Sequence, residues 1–406
     1  MKVPPRFLGL LLVASTTATF LAYHWIFELL HRFDWGQPFI KLACFEAFSV
    51  LILLQFYWRK NKTAASTEKV AIVEMTAAIA LVVWELVRMV VLLRSGLHGG
   101  MNDLGYTDEN AVRALVLDHA NPYLLEIAKN GNNPLYWGFK YAPGMLLGYP
   151  AALWWPNGVG LKVTNLIFLL VTAGLVGWLV AQTDSSPKRH SWQRWSPAML
   201  AAALTMLPER LYHEMFNQGA VDIFPTMLMI GALVCVRRQA WLSVGLLLGL
   251  SFSAKLSPVA FMLVLFFRPR TPRRFFVGLA LGLLPFVPFL IWDAPALLRN
   301  VFIFHSMKDY DSTSLYNITP KELQYLFSAF QLAAVAIAVA VSFRRPFEVR
   351  ELVVVSTLLL IAIEISYREI HGNHMIGFMP LLALIFTWYR HWLTRLLAPE
   401  ATTLAR

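Results

Sequence analysis

Residues 161–181 read LKVTNLIFLLVTAGLVGWLVA. Apart from Lys162 the stretch carries no charge, and its length matches the ~20 residues a helix needs to cross a bilayer. Comparable runs occupy 7–29, 39–57, 70–93, 219–236, 275–291, 325–343 and 373–389. At membrane depth the backbone satisfies its own hydrogen bonds only in helices or closed barrels. A barrel needs apolar and polar residues in alternation, which these runs lack. The chain therefore reads as an all-α, polytopic transmembrane protein.

Composition agrees. Of 406 residues, 57% are hydrophobic and 15% charged, whereas a soluble domain carries about a quarter charged residues. The first run follows Lys2 and Arg6, as a signal peptide would, but it is long and Tyr23-His24-Trp25 is no small-residue cleavage site. It reads as a retained first helix. The net charge of +11 sits in short loops, the pattern of membrane orientation rather than of nucleic-acid binding. Cys44 and Cys235 both lie in apolar runs and read as packing residues, with no disulfide framework or cysteine metal site.

The charges also orient the chain. Basic clusters occur at Lys2/Arg6, Arg59 to Lys69, Lys188 to Arg194, Arg237-Arg238, Arg268 to Arg274, Arg344 to Arg350 and Arg390/Arg395. Placed in the cytoplasm, they leave loops 30–38, 94–160, 209–218, 292–324 and 367–372 facing outward, about twelve spans in all, with both termini inside. Two adjustments are needed. Trp241 to Phe267 must be two short helices, broken at SFSAKLSP (251–258), since Pro does not continue a helix. Residues 143–155, within PGMLLGYPAALWWPNG, must dip into the membrane and return, a backbone tolerated there only when it lines a protein cavity. With no repeat or soluble appendage, residues 1–406 form one membrane domain. Residues 1–60 supply two N-terminal helices, and 94–160 the long outward loop with its short interfacial helices.

Five polar constellations interrupt the spans. The loop GGMNDLGYTDENAVRALVLDHANPYLLEIAKNGNNPLYWGFKYAPG (99–144) is about 45 residues long, too long for an idle connector. It offers Asp103, Asp108, Glu109 and Asp118, with His119, Lys140 and several tyrosines. Thr107 or Asp108 would cap a helix over 109–120, in which Glu109 and Arg113 would pair one turn apart. A partly buried carboxylate beside a cavity suits general-base work; a capped, solvated surface helix is the plainer alternative. The second constellation, LPERLYHEMFNQGAVDIFP (207–225), gathers Glu209, Arg210, His213, Glu214, Asn217, Gln218 and Asp222, and polar groups at this depth usually face an interior cavity. Third, Lys255 in the helix break can hold a phosphate or simply snorkel. Fourth, SYREIHGNHMIGFMP (366–380) brings Arg368, His371 and His374 to a helix start, an arrangement better suited to an anionic phosphate than to a metal. Fifth, FIFHSMKDYDSTSLYN (302–317), with His305, reads as a lid, an acceptor loop or a solvated connector. Glu85 and Arg88, three residues apart in a span, read as a buried structural pair.

Taken in order, these stretches resemble the GT-C glycosyltransferases that use polyprenyl-phosphate sugars. YTDENAVRALVLDHANPY (106–123) with YAPGMLL (141–147) is similar to the first outward loop of the glycosylphosphatidylinositol mannosyltransferases. FNQGAVDIF (216–224) with WLSVGLLLGLSFSAKLSP (241–258) is similar to glycosyltransferase family 87, and HGNHMIGFMPLLAL (371–384) to a late helix of the wider superfamily. The likeness covers residues 95–390.

The resemblance implies a GT-C-like fold. It also implies an inverting transfer of a sugar, with mannose the nearest case, on the extracytoplasmic face of a bacterial inner membrane. Asp108 would be the base, with Asp103 or Glu109 as alternatives. Lys255, Arg368, His371 and His374 would bind the donor phosphate. Tyr106, Tyr123, Lys140, Tyr141, Glu209, Arg210, Asn217, Gln218 and His305 would hold the sugar or a glycan or glycolipid acceptor. The acidic motif reads Asp108-Glu109-Asn110 rather than Asp-x-Asp, so no cofactor is assigned and the spacing gives no support to a divalent metal. The competing reading is a secondary transporter or lipid carrier. A transporter would bring paired broken helices in two similar halves, and the sequence offers one clear break and no halves.

Overall fold

The computed structural model describes residues 64–97, 100–101, 103–125, 138–155, 157–183, 191–206, 213–267, 271–304, 319–344, 347–365 and 376–396. The expected spans at 7–29 and 39–57 lie outside the described residues. What is described is helical, with no strand among the described residues. In chain order the helices are α1 (Ala64–Leu97), α2 (Asp103–Val116), α3 (Val159–Thr183), α4 (Ser191–Met206), α5 (Ile223–Arg237), α6 (Trp241–Ala254), α7 (Val259–Phe266), α8 (Arg273–Gly282), α9 (Phe286–Leu298), α10 (Tyr325–Arg344), α11 (Val349–Ile365) and α12 (Met379–Leu396). Among the described residues three stretches, Val159–Thr183, Phe286–Ile303 and Lys321–Arg344, are long and apolar enough to cross a membrane.

Burial follows the helical period. On α1, Val83, Trp84, Val87, Val90 and Val91 are exposed, one continuous apolar face of the kind that lipid covers. On the inward side Glu85 is buried and holds Arg88 at 3.2 Å, the expected structural pair. The main core joins α3, α4, α5, α6, α7, α8, α11 and α12 through residues such as Val176, Ile230, Val244, Phe261, Phe275, Val353 and Leu384.

The break at Lys255 is as expected: α6 ends at Ala254, Lys255 is extended (φ −149°, ψ 145°), and α7 starts after Pro258. Helices α6 and α8 meet backbone to backbone. A Cβ on Gly245 would stand 2.6 Å from Leu279 N, and one on Gly249 2.7 Å from Leu279 O. On the other side, a Cβ on Gly278 would stand 2.8 Å from Leu246 N. Only glycine allows that approach.

Two expectations are corrected. The run 275–291 is not one helix: α8 stops at Gly282, and α9 begins after Pro285, which cannot donate to the preceding turn. Helix α9 then kinks at Asp293 (φ −160°, ψ 87°) and continues through a π-turn, Arg299–Ile303. Asp293 caps the restart, its Oδ1 accepting from Ala296 N at 2.9 Å. The expected outward loop from 292 is therefore helical through Phe304.

The segment 143–155 does not form a membrane-length helix. It makes two 3₁₀ turns, Pro143–Leu147 and Pro150–Leu153, pressed into the protein with Met145, Leu146, Tyr149 and Ala152 buried. Leu147, Trp154 and Trp155 of the same segment are exposed.

The two ends of α3 differ in charge. At its C-terminal end Thr183 O accepts from Arg350 at 2.9 Å, and Gln182 O accepts from Arg237 at 3.3 Å. Arg238 lies 4.5 Å from the Trp178 ring. At its N-terminal end sits the acidic loop helix α2, one helix length away, or about 37 Å at 1.5 Å per residue.

Candidate functional site

Helix α2 begins at Asp103, earlier than the expected cap at Thr107 or Asp108. The correction matters because it puts Asp108 inside the helix, where its direction is fixed by the helical period. Asp108, Ala111 and Val112 are three and four residues apart and share the buried face. Tyr106, about 200° round the helix from Asp108, is exposed. The tyrosine and the aspartate of the Tyr-Thr-Asp motif therefore face opposite ways.

Glu109 has a different task. Its two carboxylate oxygens accept from Asn157 N at 2.9 Å and Gly158 N at 2.6 Å. Both residues have positive φ, 61° and 78°, so the carboxylate stabilises a strained turn at the start of α3. This replaces the expected Glu109–Arg113 pairing.

Asp108 is 1% exposed, and neither carboxylate oxygen has a hydrogen-bond partner. On the same buried face of α2, Ala111 and Val112 belong to an apolar cluster that also contains Tyr123, Tyr149, Val221 and Ala254. Val221 precedes Asp222, and Ala254 precedes Lys255. The cluster therefore brings both of those charged residues close enough for Asp108 to feel their charges. Lys255 Nζ donates to Asp222 Oδ1 in an ion pair between the start of α5 and the end of α6. Asp222 is buried and Lys255 partly so. Burial pushes the Asp108 carboxyl well above the usual carboxylate range; the Asp222 charge adds to that, and Lys255 opposes it. Two carboxylates share one ammonium, and Asp222 holds it. Asp108 is therefore the group of the site primed to take up a proton.

Two buried tyrosines complete the wall. Burial and the Asp108 charge raise the Tyr123 phenol, and Asp222 acts on Tyr149 as well. Neither hydroxyl serves Asp108. Tyr123 OH donates to Tyr141 O at 2.9 Å. Tyr149 OH lies 2.7 Å from Asn165 Oδ1 and 3.0 Å from Val221 O, so its one proton is committed there. Asn165, buried in α3, also donates to Met215 O at 3.1 Å and Ala220 O at 2.8 Å. It thus ties Tyr149 to the segment of chain that leads into Asp222.

Other expected residues are dispersed. Lys140 is partly buried: its Nζ donates to Asn300 Oδ1 at 2.7 Å and lies 4.3 Å from the Phe304 ring centre. Burial and Arg299 lower it from 10.5 to about 7. Asn300 Nδ2 in turn donates to Tyr123 O at 3.0 Å, so Lys140 adjoins the site through one amide. Asn217 and Gln218 both contact the ring nitrogens of His213, at 3.0 and 3.1 Å. Their loop packs on the start of α2: a Cβ on Gly105 would stand 2.9 Å from Gln218 O. Asp103 starts α2. Glu209, Arg210, His305, Arg368, His371 and His374 lie outside the described residues.

Sequence reading did not assign Asp222, Tyr149 or Asn165 to the site. The available signals were an acidic residue closing the 207–225 constellation, a Tyr-Pro step in the re-entrant segment, and a lone amide in an apolar span, where polar groups are costly.

The family model for glycosyltransferase family 87 matches residues 139–362, more than half of the chain. No curated protein matches significantly. Among solved structures, ArnT from Cupriavidus metallidurans in the apo state is similar, with 14% sequence identity and a TM-score of 0.47. The match covers 78% of this chain and 62% of that one, so the chain spans about three fifths of the ArnT length.

Proposed function

The chain belongs to glycosyltransferase family 87, and from that premise we propose that it moves a sugar from a polyprenyl-phosphate donor to a glycan or glycolipid acceptor. The donor's lipid stays in the bilayer while its sugar and phosphate reach the pocket of α2. Asp108 is the general base. The acceptor hydroxyl gives its proton to the Asp108 carboxylate as its oxygen bonds to the anomeric carbon. The carbon–oxygen bond to the phosphate breaks on the opposite face, and polyprenyl phosphate leaves with the electron pair. The anomeric centre inverts.

One observation carries this reading: a buried carboxylate without a hydrogen-bond partner, beside an ion pair that has taken the nearby ammonium. A carboxyl raised above its ordinary range by burial is a stronger proton acceptor than a solvated one. Lys255, with Arg368, His371 and His374, stabilises the departing phosphate. The sugar is a hexose, with mannose the first candidate on the resemblance of the 106–147 region. The arginines gathered at the far end of α3 support an extracytoplasmic pocket in a bacterial inner membrane, with cytoplasmic termini.

The test is direct. The purified protein is given polyprenyl-phosphate sugars and a membrane extract as acceptor. Labelled sugar should appear in the acceptor, and Asp108→Asn should lower the rate by roughly 10²-fold or more. Full activity in Asp108→Asn overturns the base assignment, and solute uptake into vesicles without transfer overturns the reaction.

A further inference from the structure

We propose that Asp222 is a positioning residue for the transfer: by holding Lys255 in an ion pair, it keeps the ammonium off Asp108 and leaves that carboxylate as the site's proton acceptor. The inference rests on the reading of Asp108 as base and deepens it.

The geometry is specific. Asp222 lies at the N-terminus of α5, with Thr226 Oγ1 donating to its backbone carbonyl at 2.7 Å. Lys255 lies at the C-terminus of α6, and Ser251, one turn before it, donates its hydroxyl to Pro225 O at 2.6 Å. That bond ties the end of α6 to the first turn of α5, so the two charged residues are held together by backbone as well as by charge. The residues next to the pair are apolar: Val221 and Ala254 pack in the cluster that holds Ala111 and Val112, on the buried face of α2 that Asp108 shares.

Among the described residues, the charged and titratable groups acting on Asp108 are Asp222, Lys255, Tyr123 and Tyr149. Both phenols have donated elsewhere. On its own helix, Glu109 is committed to the backbone of Asn157 and Gly158. Among the described residues Lys255 is thus the cation that acts on Asp108, and its partner decides how strongly. Without Asp222, Asp108 loses a repelling neighbour and inherits the ammonium. Both changes favour its ionised form. Without Lys255, Asp108 faces Asp222 with no intervening cation, and its ionised form is disfavoured.

These are opposite shifts, which a merely structural role would not produce. The experiment compares the pH dependence of kcat/KM in the full-length protein, Asp222→Asn, Asp222→Glu and Lys255→Gln. Because Asp108 must be ionised to act, activity falls on the acid side. Asp222→Asn should move that acid limb about one unit or more to lower pH, and Lys255→Gln should move it to higher pH. Asp222→Glu should return it toward the parent position. An unmoved limb in Asp222→Asn, or limbs that move the same way in both variants, overturns the proposal.

Infrared titration of the carboxyl stretch that disappears in Asp108→Asn supplies a readout without catalysis. Its midpoint should shift in the same two directions. If the parent protein transfers no sugar, the reaction reading fails on its own account, while the infrared midpoints still decide the role of Asp222.

Discussion

Glu109 grips Gly158: the backbone N–H donates to the carboxylate at 2.6 Å, across the joint between the loop helix and the start of α3. Its neighbour Asp108 has no such partner. Adjacent acidic residues thus divide between holding the fold and offering a free carboxylate. Glu109→Gln should lower thermal stability by about 1–2 kcal/mol, the range for weakening charge-assisted hydrogen bonds. It should keep most of the transfer activity and leave the pH optimum in place. Thermal unfolding by intrinsic fluorescence in detergent, run beside the transfer assay, separates the two effects.

Asn165 is the second support. It serves Tyr149, Met215 O and Ala220 O at once. Asn165→Ala should cost about 2 kcal/mol because buried polar partners are left unmatched. Tyr149→Phe should cost less, since the amide keeps both of its donated bonds. The same unfolding measurement ranks them, and an equal or reversed order counts against Asn165 as the hub.

Lys140 gives a pH-dependent contribution to stability. Its folded value is about 7 against an ordinary 10.5, owing first to burial and then to Arg299. Between those two values the unfolded chain binds more protons than the folded one, so stability rises with pH across that window. Below about 7 the cost of burying the charge is fully present. Lys140→Met should flatten the rise in melting temperature between pH 7 and 10 relative to the parent protein. An unchanged slope would show that Lys140 titrates normally.

The 3₁₀ turn Pro143–Leu147 is fitted as closely. A Cβ on Gly144 would stand 2.7 Å from the Ser253 carbonyl carbon and 2.8 Å from its oxygen, two residues before Lys255. Gly144→Ala should destabilise by about 1–3 kcal/mol through overpacking and should reduce transfer by displacing Lys255. Gly174, whose Cβ would meet nothing within 4 Å, is the matched control: Gly174→Ala should be neutral or slightly stabilising.

The spans at 161–181 and 325–343 were legible, because length and the lack of charge decide them. The break at Lys255 was legible from Pro258 and three serines. The break at Pro285 was not, because hydrophobic residues continue on both sides of it. In the loop, Asp108 stood out as an acid beside membrane spans, but its direction depended on where α2 begins. The expected helix over 109–120 left Gly105 outside it. Instead it sits in the helix because Gln218 O needs the room of a missing Cβ. The Asp222–Lys255 pair joins two helices through tertiary packing alone. No spacing rule reaches between them, so the sequence offered Lys255 as a phosphate ligand and left Asp222 without a role.

The glycine seam between α6 and α8 has one more consequence. Since the two backbones touch at Gly245, Gly249, Gly278 and Gly282, α6 cannot rotate or slide to absorb a change in its length. One residue inserted between Gly249 and Lys255 would turn the ammonium about 100° about the helix axis, away from Asp222. The stretch from the seam to the break is therefore a ruler: insertions and deletions there should be forbidden even where substitutions are tolerated.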